Sequence, residues 1–151
     1  MSWDQLAAGI GCAFDAPRPD HSAEWDAVAK LRAATLYLPQ NQAYRGHCIL
    51  VFDPRHATRL DQLNAREWEA YAADLHRAVR AIVAVCQPDH MNVESLGNVM
   101  PHLHWHLIPR YKTDPRWGSP IWPSDLREQA DRRLAADERS ALLRDLQDRL
   151  R

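Results

Sequence analysis

Apolar and polar positions change their spacing several times along the 151-residue chain, and each change predicts an element. The clearest period spans residues 65–86. Trp68, Tyr71, Leu75, Val79, Ile82 and Cys86 recur in steps of three and four, which places them on one face of a helix. Asn64 stands before the stripe as an N-cap, and Glu67 completes a capping box. Leu63 and Trp68 are spaced for a hydrophobic staple, and Pro88 stops the helix. A second stripe, Leu142, Leu143, Leu146 and Leu150, predicts an amphipathic helix over 137–150.

Shorter runs read as strands. Thr35, Leu36, Tyr37 and Leu38 favour β structure and are stopped by Pro39. Residues 47–52 form an apolar run closed by Asp53 and Pro54, Met91 to Val93 give a weaker signal, and residues 102–108 alternate strictly. Residues 1–23 have no period, with an exposed turn over 17–22. Residues 112–125, with Pro115, Gly118, Pro120 and Pro123, read as irregular and aromatic-rich. Strands, a long helix and more strands predict an α+β fold on an antiparallel sheet. One domain over 1–151 is expected, with its core over about 26–122 and a C-terminal helical extension over about 124–151.

Composition narrows the function. The hydrophobic fraction of 46% and charged fraction of 26% are those of an ordinary globular protein. No apolar stretch approaches the ~18 residues of a membrane helix, so no membrane partner is expected. The net charge of -1 argues against a nucleic-acid partner gripped by bulk electrostatics, so any phosphate must meet a local site. Cys12, Cys48 and Cys86 are far apart in sequence and suggest neither a disulfide framework nor a cysteine-pair zinc knuckle. The first 14 residues have no basic region before their apolar part, and a reduced, cytoplasmic protein is expected.

The candidate chemistry lies in the last strand. His102, His104 and His106 share one face, about 7 Å apart in turn, while Leu103, Trp105 and Leu107 share the other. Three imidazoles in a row are poor core material. Two chemistries suit them: a zinc site with an open position, or a nucleophilic imidazole with neighbours that bind anionic oxygens. The outer pair is about 14 Å apart, too far for all three to share one ion. Two of them would need help, for which Glu94 and Asp89 are candidates that no spacing singles out. Geometry therefore favours the nucleophile, and no metal is expected. Such a nucleophile needs a neutral attacking nitrogen and a proton held on the other, usually against a backbone carbonyl.

The segment His102-Leu-His104-Trp-His106-Leu-Ile resembles the motif of the histidine triad (HIT) family. Gly46-His47-Cys-Ile-Leu-Val, Pro54-Arg55-His56 and Leu96-Gly97-Asn98-Val99-Met100-Pro101 are similar to its other landmarks, in the same order. The resemblance covers roughly residues 26 to 122. It implies a five-stranded antiparallel sheet, a homodimer, and enzymes that hydrolyse or transfer nucleotides. It implies that His104 attacks the α-phosphorus to give a nucleotidyl-histidine intermediate. His106 would contact the phosphate and assist departure or water attack, while His102 and His47 support them. Asn98 and Asn92 match positions near the phosphate, Asn92 with a spacing one residue different. A ribose-binding Asp or Asn would stand where this chain has Pro39, leaving Gln40 or Asn41 as substitutes. The N-terminal Cys-x-x-Cys of some members is absent, which argues against an accessory zinc site.

The resemblance implies a nucleotide phosphohydrolase or phosphoramidase acting on a diadenosine polyphosphate or an adenosine phosphoramidate. The third histidine, in place of the glutamine of the transferase branches, favours hydrolysis. The alternative is a nucleotide-binding protein with little or no activity. No cofactor is required, although magnesium is compatible with a polyphosphate substrate. Trp117 and Trp122 read equally as loop anchors or as contacts for the leaving group. Trp68 and Trp105 read as core, and His21, His56, His76 and His90 as solvated. Arg110 and Lys112 read as surface charges or phosphate-steering groups, and the charges of the terminal helix as a solvated face.

Overall fold

In the computed structural model, which describes residues 1–123 and 130–151, the strands are β1 (Trp25–Lys30), β2 (Ala34–Pro39), β3 (Cys48–Phe52), β4 (His90–Glu94) and β5 (His104–Arg110). The helices are α1 (Trp3–Ala7), α2 (Ala65–Cys86) and α3 (Ala136–Leu150). The strands form one antiparallel sheet in the order β1-β2-β3-β5-β4. The helical extension expected from about residue 124 is seen only as α3, since residues 124–129 lie outside the described residues.

One face of the sheet makes the core. Leu36, Leu38, Leu50, Phe52 and Leu107 pack there against Tyr71 and Ile82 of α2 and Leu142, Leu146 and Leu150 of α3. Asn64 accepts from the Glu67 amide and Glu67 accepts from the Asn64 amide, so α2 begins with the capping box its sequence predicts. Its buried stripe is rotated from the predicted one. Trp68 is 42% exposed, which corrects its assignment to the core, while Asp74 is buried. Asp74 takes that place because its carboxylate accepts from the Arg32 and Ala33 amides in the turn between β1 and β2. Trp105 does pack against the core, with its ring 6.3 Å from that of Tyr71.

The other face carries the histidines. In the β3–β5 ladder His104 lies opposite Val51 and His106 opposite Ile49, and Glu94 of β4 faces His106 from the far side. Residues 8–24, between α1 and β1, cross this face and bury Thr35 and Tyr37 of β2. With both faces covered, β2 reads as a continuous β-favouring run rather than an alternation. Arg139 of α3, expected on a solvated face, reaches Asp26 and the carbonyls of Leu38 and Pro39, tying α3 to the sheet edge.

Candidate active site

His104 is the middle histidine of the row and the first of β5. Its Nδ1 lies 2.6 Å from the His102 carbonyl oxygen, so Nδ1–H donates there and the lone pair is left on Nε2. His104 is only 6% exposed, and burial lowers its pKa, which keeps the ring neutral. A neutral imidazole with a fixed tautomer and a lone pair on Nε2 has the form a nucleophile needs.

His106 follows on the same face, its ring centroid 4.9 Å from that of His104. Its Nδ1 lies 3.2 Å from Nε2 of His47, so the two rings share one proton across a hydrogen bond. Burial is the main cause lowering both, to about 3 for His106 and about 4 for His47, with the fields of His47 and His104 adding to the shift of His106. His47 is positioned by a turn around Gly46. Gly46 has φ +88°, and a Cβ there would collide with Cys86 Sγ. Gln42, fully buried, spans the same turn: it accepts from the Gly46 amide and donates to the carbonyls of Pro39 and His47. Neither the glycine's conformation nor Gln42 was a candidate from sequence, since both act through backbone geometry.

Two aromatic rings close the row at its ends. Phe14 stands edge-on to His102 and His104 at 5.6 and 5.5 Å. Trp122 lies 4.9 Å from His106 and 6.3 Å from His47, and its Nε1–H donates to Glu94 Oε2 at 2.5 Å. Of the two tryptophans weighed from sequence, Trp122 meets the histidines. Trp117 is 44% exposed and lines a separate 530 Å³ groove with Asn92, Arg110 and Lys112. The expected residues Asn92 and Trp117 thus come together there, and Asn92 donates to Glu94.

Other expected residues are placed differently. Asn98 is exposed in a bend after β4. Gln40 donates to the Ser22 carbonyl and Asp26, and Asn41 donates to the Ala130 carbonyl and accepts from the Ala43 and Arg132 amides. Both amides are committed to chain anchoring. Arg110, weighed as a surface or steering charge, is buried and clamps the loop after β5 through Asp114 and the carbonyls of Arg116 and Ser119. His102 stands just before β5 rather than within it. It is buried, and its Nε2–H donates to the Phe52 carbonyl at 2.7 Å. His56, expected to be solvated, is half-buried beside it, with the rings 5.2 Å apart. Donor atoms of Cys12, Asp15, His56 and His102 all lie within 4.8 Å of one another, the one such group among the described residues able to hold a metal. None of the described helices is long and apolar enough to cross a membrane.

Comparison with known proteins bears on the fold and the family. Solved structures of similar fold include a histidine triad protein from Bradyrhizobium japonicum, at 21% identity and TM-score 0.76, with 85% of this chain and 92% of that one covered. One from Marinobacter aquaeolei VT8 is 23% identical with TM-score 0.74, covering 85% and 90%. A zinc-bound histidine triad family protein from Mycobacterium smegmatis is 18% identical with TM-score 0.57, covering 96% and 88%. A search of curated proteins found no match. These likenesses are of fold. The model of the HIT domain family matches residues 23–113, which hold all five strands, the long helix and the three histidines, and the chain belongs to that family.

Proposed function

We propose that the protein hydrolyses a nucleotide at its α-phosphate, with His104 as the nucleophile. The observation that carries this reading is the 2.6 Å contact of His104 Nδ1 with the His102 carbonyl, which aims a lone pair from Nε2. His104 Nε2 forms a bond to phosphorus and the bond to the leaving group breaks. With His47 Nε2–H donating to His106 Nδ1, His106 presents Nε2–H to a phosphoryl or leaving-group oxygen or nitrogen. Burial keeps His106 neutral in the empty site. An anionic phosphate beside it favours the imidazolium and so raises its pKa; His106 Nδ1–H then donates to His47 Nε2, the His47 proton having moved to its Nδ1, and His106 Nε2–H protonates the departing group. Water then attacks phosphorus, giving its proton back to His106, and the P–N bond to His104 breaks. The fused positions of nucleophile and proton donor supply most of the rate through proximity.

The substrate is a diadenosine polyphosphate or an adenosine phosphoramidate. A 610 Å³ groove lined by Phe14, Arg18, Tyr37 and Asp53 is of a size for the nucleoside, and the Trp117 groove receives the leaving group. The test is rapid-quench analysis with a labelled adenosine phosphoramidate. Wild type gives turnover and an acid-labile adenylyl-protein. His104→Ala gives neither, yet binds AMP. Turnover by His104→Ala near the wild-type rate would refute the reading, and no turnover by wild type across both substrate classes would favour a binding protein.

The protein acts as a homodimer in the same proposal. Val93 on the edge strand β4, Leu96 after it, and Trp68 and Val83 on α2 are all exposed apolar residues. A two-fold axis would present that patch to itself. Light scattering at micromolar concentration is expected to give a dimer, and Val83→Glu to give a monomer of reduced activity. A fully active wild-type monomer would overturn this.

A further inference from the structure

In the β4–β5 ladder Glu94 lies opposite His106, Asn92 opposite Ile108 and His90 opposite Arg110. Residues paired in this way put their side chains on the same face of the sheet, so Glu94 stands beside His106 and Asn92 follows it along β4. The two carboxylate oxygens of Glu94 are engaged separately. Oε1 accepts from Asn92 Nδ2 at 3.2 Å, and Oε2 accepts from Trp122 Nε1 at 2.5 Å. Trp122 in turn stands edge-on to His106, with the rings 4.9 Å apart, whereas Asn92 lines the 530 Å³ groove that carries Trp117. The carboxylate thereby joins the surroundings of the proton donor to that groove. Both of its donors are neutral, and among the described residues no cation pairs with it. A half-buried negative charge thus stands, without a local counter-charge, beside the group that protonates the leaving group.

We propose that Glu94 determines which leaving group the site accepts: its carboxylate favours a group that departs as an amine over one that departs as a phosphate. Among the described residues that line the groove, both strong cations already have partners. Arg110 is committed to Asp114 and to the carbonyls of Arg116 and Ser119, and Lys112 lies 3.6 Å from Asp89. In a phosphoramidate the His106 Nε2 proton passes to nitrogen and the P–N bond breaks with its electron pair kept by nitrogen. Positive charge builds on that nitrogen beside the carboxylate, and the amine leaves neutral and takes up a proton from water. In a dinucleoside polyphosphate the electron pair of the P–O bond goes to a phosphate oxygen. The departing nucleotide then carries several negative charges past Glu94. The inference rests on the reaction proposed above and chooses between its two substrate classes.

Selection by charge is separable from simple anchoring of Trp122. Anchoring needs only an acceptor, and a glutamine amide oxygen takes the Trp122 proton as a carboxylate does. Selection needs the charge. Glu94→Gln therefore removes the charge and keeps the acceptor, while Glu94→Asp keeps the charge and shortens the reach to Trp122.

The test compares kcat/KM of the full chain for an adenosine phosphoramidate with that for diadenosine tetraphosphate, in wild type, Glu94→Gln and Glu94→Asp. Two unit charges roughly 8 Å apart at an effective dielectric of about 40 change a rate about fivefold. The ratio of phosphoramidate to polyphosphate kcat/KM is therefore expected to fall at least about fivefold in Glu94→Gln. In Glu94→Asp it is expected to stay within about twofold of wild type, and the difference between wild type and Glu94→Gln to shrink as salt is added. An unchanged ratio in Glu94→Gln, or an equal fall in Glu94→Asp, overturns the selection and leaves the reaction standing. Turnover by His104→Ala overturns the reaction instead. Should the wild type turn over neither substrate, the comparison is read as dissociation constants by calorimetry. Diadenosine tetraphosphate binding at least about threefold tighter to Glu94→Gln then supports the role of the charge, and equal binding overturns it.

Discussion

Replacing His47 with Ala tests how far one hydrogen bond organises the reaction. In the wild type His47 Nε2 lies 3.2 Å from His106 Nδ1 and directs the His106 proton to Nε2. A neutral hydrogen bond contributes a net of about 0.5–1.5 kcal/mol, which is roughly 2- to 13-fold in rate. Without His47 the two His106 tautomers become nearly equal, and loss of half the productive form adds about twofold. The expected kcat is therefore about 5- to 25-fold below wild type, with KM little changed. One of the groups that depress His106 also disappears, so its pKa rises from about 3, and because His106 acts as the protonated donor the alkaline limb of the kcat profile moves to higher pH. The assay is steady-state hydrolysis of an adenosine phosphoramidate between pH 4 and 8 on the folded variant. An unchanged kcat, or a KM effect alone, would refute the role of His47 in setting the His106 proton.

Three further outcomes follow from the packing. His47 and His106 have folded pKa values of about 4 and about 3 against 6.5, so the unfolded chain binds more protons between these limits. Their contribution to stability is full above pH 6.5 and is lost as pH falls towards 4 and then 3; Tm measured against pH is expected to fall through this window, and less steeply in His47→Ala. Asp74→Ala leaves the Arg32 and Ala33 amides without their acceptor, which costs about 3 kcal/mol and roughly 6–12 °C in Tm by calorimetry, without loss of activity at low temperature. An unchanged Tm would show that water replaces the carboxylate. Gly46→Ala forces a side chain into φ +88° and into Cys86 Sγ, so urea unfolding is expected to show at least about 1–3 kcal/mol of destabilisation, together with a lower kcat as His47 shifts.

Periodic signals were legible where one face of an element meets the core and the other does not. The stripe of α2, the leucines of α3 and the alternation through His104, Trp105 and His106 all report such a boundary. β1 escaped notice because Asp26 and Lys30 interrupt its apolar residues and a register shift between Ala27 and Ala29 breaks the alternation. α1 is five residues long with no buried side chain, too short to show a period.

By itself, the sequence determined the α+β class, the shared face of the histidines and the identity of the family, because these depend on local spacing and on a motif contained in seven consecutive residues. The tertiary structure decided what the polar side chains do. Arg139 finds Asp26 from 113 positions away, Trp122 finds Glu94 from 28, and Cys12 finds His102 from 90. A charged or imidazole group in the sequence looks the same whether it is solvated, buried against a partner or poised to hold an ion. The distinction is set by which distant donor or acceptor the fold brings within about 3 Å, and no local pattern encodes that pairing.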